Sequence, residues 1–198
     1  PTPSPSPFTT SPPPPPPPPT STPIPVADEH YAVIVTNTDP MVQQWATDTL
    51  NTVWFLDYTN NVDVVPAGHN KLIYVNGVPG PSPQTIQSIV QKTPGSVWYV
   101  VGEPNRRAGY AASDIVVQLH DLYMDIKDAD PTAKITSPSI LNWDFTCAGC
   151  GEGYQSGHEW VDEFRSAYLN LYLEEPPIDI WAIDVYPLDW LNRPTVDH

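Results

Sequence analysis

Short apolar runs of strand character alternate with stripes of helical spacing along residues 31–185, and this alternation holds the chain to a parallel β/α fold. Six runs read as strands: 31–36 (YAVIVT), 52–58 (TVWFLDY), 71–76 (KLIYVN), 96–101 (SVWYVV), 134–141 and 178–185 (IDIWAIDV). Asp39 and Ser82 offer N-caps, each followed by a proline at the first helical position. The first stripe is Val42, Trp45, Ala46 and Leu50; the second is Ile86, Ile89 and Val90. The clearest is Ile115, Leu119, Leu122, Tyr123 and Ile126, stopped by Asp130-Pro131. Ser156 and Glu159 have capping-box spacing ahead of Trp160, Val161, Phe164, Tyr168 and Leu171. Asn60, Asn61, Pro66 and Gly68 mark a loop without helical pattern, so one crossover is abbreviated. No strand runs into a glycine-rich phosphate turn, which argues against a nucleotide-binding doubly wound sheet. The expected fold is α/β: a (β/α)8 TIM barrel, incomplete in this sequence at about six of eight strands, with an open sheet as competitor.

Residues 1–25 cannot join that core. They are almost entirely Pro, Ser and Thr, and Pro12 to Pro19 form an unbroken run that favours stiff polyproline II, about 3.1 Å per residue. A disordered linker over 1–25 and a β/α domain over 26–198 are expected. The net charge of −15 and the pI near 4.3 disfavour nucleic acid and anionic membranes as partners. No apolar run is long enough to span a bilayer. A Pro/Thr/Ser stalk points to an extracellular or cell-surface protein, and a monomer is expected. Cys147 and Cys150 are the only cysteines and sit in a glycine-flanked loop. They read as a small loop disulfide, with free thiols or a metal site as alternatives; zinc would need two further ligands, and only His158 is near in sequence.

The chemistry gathers at the predicted carboxyl ends of the strands. Residues 98–105 (WYVVGEPN) read as an apolar strand that stops on one carboxylate, Glu103, with Pro104 behind it. In β/α barrels that end of the sheet carries the reacting groups. Pro104 ends the strand and biases Glu103 toward an extended conformation. Asp57, Tyr58, Asn76, Asn105, Asn142, Trp143 and Tyr186 fall at equivalent strand ends. Aromatic faces stack on sugar rings while Asn and Asp hydrogen-bond sugar hydroxyls, so these seven are the candidate substrate contacts. No metal or organic cofactor is implied.

The segment Gly102-Glu103-Pro104-Asn105 on the fourth strand resembles the Asn-Glu-Pro motif of the clan A glycoside hydrolases, (β/α)8 barrels whose fourth strand supplies the acid/base. With 54–58 (WFLDY), 130–134 (DPTAK) and 179–183 (DIWAI), it looks like a bacterial group of hydrolases related to the endo-β-1,3-glucanase-like barrels. The resemblance covers roughly residues 31–190. It implies a polysaccharide or oligosaccharide substrate and a retaining two-carboxylate mechanism with Glu103 as acid/base. Two departures stand out. Gly102 replaces the Asn that contacts the sugar 2-hydroxyl, and no residue matches the family's nucleophile at the end of strand seven. The sequence as it stands is therefore expected to be inactive as a hydrolase. The alternatives are a non-catalytic carbohydrate-binding or cell-wall-associated module and a structural surface protein.

Overall fold

Three of the four described α-helices begin where the sequence supplies a side-chain cap. The Asp39 carboxylate accepts the Met41 N–H at 2.9 Å, opening α1 (Pro40–Leu50), and the Ser82 hydroxyl accepts the Thr85 N–H, opening α2 (Pro83–Lys92). The computed structural model describes residues 28–146, 153–188 and 192; the 1–25 linker and the Cys147/Cys150 pair lie outside them. Helix α3 (Ala112–Ala129) buries all five residues of its predicted stripe, and the Asp130 N–H closes it by donating to the Ile126 carbonyl. Helix α4 (Gly157–Tyr172) starts on Ser156, whose hydroxyl accepts from Glu159 N–H. The expected box is only half formed: the Glu159 carboxylate takes the Gln155 N–H, not that of Ser156. Trp160, Val161, Phe164 and Tyr168 of α4 are buried, whereas Leu171 is exposed.

Apart from β1, the strands are shorter than the apolar runs that encode them. They are β1 (Asp28–Ile34), β2 (Thr52–Leu56), β3 (Asn70–Lys71), β4 (Ile73–Val75), β5 (Val97–Val100), β6 (Lys134–Ile135), β7 (Ile140–Leu141) and β8 (Ile183–Asp184). All pairings are parallel, within three small sheets of order β1-β2-β3, β4-β5-β6 and β7-β8. Single contacts join the sheets into one arc. Tyr74 N–H donates to the Thr59 carbonyl beyond β2, Gly102 bridges Ser139, and Thr136 bridges Ile180. Thus the third predicted strand is interrupted at Leu72 and the fifth between Ile135 and Ile140, yet the six predicted positions follow one another in sequence order. No helix lies between β2 and β3, as the loop signals implied.

The described strands do not close into a barrel: β1 and β8 stand at the two ends of the arc. The core lies under α2, α3 and α4, where Ile73, Trp98, Val100, Leu119, Ile126, Ile135 and Phe164 are buried together. The first unit differs. Helix α1 buries Gln43 and Thr47, while Trp45 and Leu50 of its predicted apolar stripe face solvent. Among the described residues, no helix is long and apolar enough to cross a membrane.

Candidate active site

Alternation along a parallel strand sends successive side chains to opposite faces. On β5, Trp98 and Val100 enter the helix-covered core, which sends Tyr99 to the concave side. On β4, Ile73 and Val75 are buried and Tyr74 points the other way. Tyr74 and Tyr99 are register partners, so their rings meet at 5.7 Å, and Tyr58 abuts Tyr74 edge-on at 5.2 Å. This tyrosine row lines a cleft of about 770 Å³ that also takes in Glu103, Asp184, Tyr186 and the bare backbone of Gly102. Its size is that of a small-ligand site.

Glu103 reaches this cleft through an unusual backbone. It sits at φ +51°, ψ +49°, in the left-handed region and not in the extended conformation expected before Pro104. The reason is tertiary: the Glu103 N–H must donate to the Ser139 carbonyl while its own carbonyl receives Arg106 N–H across the 3₁₀ turn Pro104–Arg106. Val101, at φ +48°, is strained as well, and a β-branched residue there is rarer still. Tyr58 and Asn142 also have positive φ, so four strained residues stand beyond the carboxyl ends of β2, β5 and β7. The Glu103 carboxylate pairs with Arg106 Nε at 2.8 Å. Burial nevertheless lifts its pKa above the ordinary Glu value; Arg106 opposes the rise and the charge of Asp184 adds to it. A carboxyl whose pKa is raised and which opens into a cleft suits proton donation.

Three of the seven candidate contacts are used up inside the protein. Asp57 lies in a buried ion pair, with Lys71 Nζ 2.7 Å from its carboxylate and Thr59 and Gln43 also donating to it. Asn105 is fully buried, and its amide copies a strand: Nδ2 donates to the Leu141 carbonyl and Thr146 hydroxyl, and Oδ1 accepts the Leu141 N–H at 2.8 Å. Asn142 is buried, donates to the Thr146 carbonyl and accepts the Tyr186 N–H at 2.7 Å. Asn105 and Asn142 therefore position Glu103 and Tyr186 and do not face the cleft. Trp143 lies apart, edge-on to His158 in a separate apolar groove with Val161, Arg165 and Trp181. Asn76 is exposed, lies outside the residues lining the cleft and accepts the Tyr74 hydroxyl at 3.0 Å. Tyr58 and Tyr186 line the cleft with Glu103.

Tyr74, Tyr99 and Ser139 lie inside the predicted strand runs, away from the strand ends where the candidate residues gather. The in–out alternation of IYV and VWYV would have flagged both tyrosines. Asp184 lies in the run 178–185, and nothing in its sequence context places it beside Glu103. Arg107 is a further organiser: its guanidinium donates to the Asn76 and Gly102 carbonyls and stacks on Tyr110, tying two strand ends together.

No protein-family description matches the sequence, and no curated relative does. Solved structures do match. An endo-β-1,3-glucanase of GH128 subgroup II from Pseudomonas viridiflava superposes with a TM-score of 0.64 at 20% identity, over 78% of this chain and 60% of that one. The chain folds like part of a GH128 β-1,3-glucanase. A subgroup I endo-β-1,3-glucanase from Amycolatopsis mediterranei, in complex with laminaritriose, gives 0.53 at 18% identity over 80% of this chain and 57% of that one. The curdlan-specific exo-β-1,3-glucanase of subgroup III from Blastomyces gilchristii gives 0.54 at 14% identity, over 77% and 59%. At these identities the GH128 likeness is one of fold, and the chain spans about 60% of the length of the structures it matches.

Proposed function

We propose that the chain is the acid-bearing portion of a (β/α)8-type glycoside hydrolase acting on a β-1,3-glucan, with Glu103 as acid/base. One observation carries the reading: a carboxyl of raised pKa opens into a tyrosine-lined cleft at the strand ends of a GH128-like fold. In a retaining reaction Glu103 protonates the glycosidic oxygen as a second carboxylate attacks the anomeric carbon. Glu103 then removes a proton from the water that hydrolyses the glycosyl ester. No residue of this sequence is assigned as that nucleophile, so the chain is expected to bind the glucan without hydrolysing it. Tyr58 and Tyr186, joined by Tyr74 and Tyr99, supply the sugar-stacking faces. An extracellular or cell-surface setting, with residues 1–25 as tether, belongs to the same reading and is supported by their composition.

The second reading, a non-catalytic glycan-binding module, is favoured by Gly102. A Cβ there would meet only the Tyr74 hydroxyl, at 3.7 Å, so the missing side chain leaves usable space unfilled.

The test uses a donor that needs no protein nucleophile, α-laminaribiosyl fluoride, with an aryl β-glucoside as acceptor. The acceptor oxygen bonds to the anomeric carbon, the C–F bond breaks, fluoride leaves, and the Glu103 carboxylate takes the acceptor's proton. The expected result is a β-1,3-linked product formed by the wild type and absent with Glu103→Gln. Binding of laminarihexaose without product formation by the wild type would instead establish the non-catalytic module.

A further inference from the structure

Asp184 differs from the carboxylates of this protein that are paired with cations. Asp57 pairs with Lys71, Asp179 with Lys127 and Lys134, and Glu175 with Arg165. Among the described residues no cation lies within 4 Å of the Asp184 carboxylate. It is held instead by two neutral hydroxyls. Ser139 Oγ donates to Oδ1 at 2.7 Å, and Tyr99 Oη lies 3.2 and 3.3 Å from the two oxygens. A partly buried anion without a cation loses hydration that hydroxyls only partly replace, so the fold keeps it at a cost.

Its placement gives that cost a use. Asp184 ends β8, where register with Leu141 fixes its height on the arc, and it lines the same cleft as Glu103. Tyr99, which donates to it, is also the last ring of the Tyr58–Tyr74–Tyr99 row. A flat aromatic face with a fixed carboxylate at its edge matches a pyranose, whose faces are apolar and whose equatorial hydroxyls point outward. Hydrogen bonds from hydroxyls to a carboxylate are short and strong. Among the described residues Oδ2 has only the long contact from Tyr99, which leaves it acceptor capacity for a ligand.

We propose that Asp184 is a sugar-binding carboxylate of the cleft, accepting a hydrogen bond from an equatorial hydroxyl of the residue stacked on Tyr74 and Tyr99. Tyr99 and Ser139 are positioning residues that fix its carboxylate plane. Being tied to two hydroxyls, Asp184 acts as a stationary acceptor and not as an attacking group. Its charge also adds to the rise of the Glu103 pKa, of which burial is the larger cause. This rests on the glucan reading above.

The test is calorimetric titration of the full chain with methyl β-laminaribioside and its monodeoxy analogues. The proteins are the wild type, Asp184→Asn, Tyr99→Phe and Ser139→Ala, each checked for native near-ultraviolet dichroism. The expected result is a loss of tenfold or more in affinity for Asp184→Asn and smaller losses for the other two. One deoxy position should weaken wild-type binding yet leave Asp184→Asn binding unchanged, a coupling that a merely structural role would not produce. A wild type that binds while folded Asp184→Asn binds equally well overturns this assignment alone. Weaker binding without coupling to any deoxy position also overturns it, making Asp184 structural. A wild type that binds no laminaribioside overturns both this assignment and the glucan reading. Should Asp184→Asn not fold, Tyr99→Phe takes its place in the deoxy comparison: coupling to one deoxy position supports the assignment, and its absence overturns it.

Discussion

Asp57 and Glu103 each stand at the carboxyl end of a strand of the same arc, yet the protein uses them in opposite ways. At Asp57 every acceptor position is met: a buried ammonium, an amide and a threonine side chain surround it. Burial lowers the Lys71 pKa, and the bond and charge of Asp57 offset part of that. At Glu103 the one cation, Arg106, is itself half exposed, the carboxyl faces a cleft, and its pKa is raised. A strand-end carboxylate is therefore not a site by position alone. Where its bonds are saturated from within it is architecture; where they are left unfinished it is available to a ligand.

The largest effect expected on this comparison comes from breaking the saturated site. Asp57→Ala leaves Lys71 charged and buried without its partner and should cost about 3–5 kcal/mol in urea unfolding. The paired Asp57→Leu/Lys71→Met variant should recover most of that loss, because no orphan charge remains. A single variant that unfolds like the wild type would remove the distinction between the two carboxylates.

Next in size is Asn105→Ala, which deprives the buried Leu141 N–H and carbonyl of their partners. About 1–3 kcal/mol of stability should be lost. The turn that carries Glu103 loses its anchor to β7 at the same time, so glucan affinity should fall along with stability. Unchanged affinity in a folded Asn105→Ala protein would show that the turn holds its shape without this clamp.

The smallest effect is a pH dependence at the unfinished site. The folded Glu103 pKa is raised, so between its unfolded and folded values the native state binds more protons than the unfolded state. Wild-type stability from this group therefore falls as pH rises through that window. Glu103→Gln lacks the penalty. Its stability relative to wild type should improve from acid to neutral pH, in denaturant titrations across that range. An advantage that grows toward acid instead would reverse the assigned direction.

Helices α3 and α1 show what periodicity can and cannot say. For α3 the stripe Ile115, Leu119, Leu122, Tyr123 and Ile126 is buried, because α2 and α4 pack on either side. For α1 the equally regular stripe Val42, Trp45, Ala46 and Leu50 predicts the wrong face: Gln43 and Thr47 are buried, and Gln43 donates to Asp57. Spacing tells which residues share a face; neighbours decide which face is covered. The exposed Trp45 and Leu50 beside β1, and Trp181 and Val185 around β8, mark the two ends of the arc.

Local signals were sufficient for the starts of α1, α2 and α4, the order of parallel strands and the end of β5 ahead of Glu103, since caps, prolines and alternation act within a few residues. What only the tertiary structure decided was the use of each polar side chain. Asn105 and Asn142 carry the same chemistry in sequence as a sugar-binding amide, but a strand 36 residues from Asn105 and the backbone of Tyr186 claim their hydrogen bonds first. Glu103 was driven into left-handed backbone by a carbonyl on the neighbouring strand, against the local preference before proline. Tyr99 and Asp184, 85 residues apart, meet only because parallel register puts them on one concave face. Buried polar groups must find partners wherever the fold brings them, and those partners are set by topology, which no local window contains.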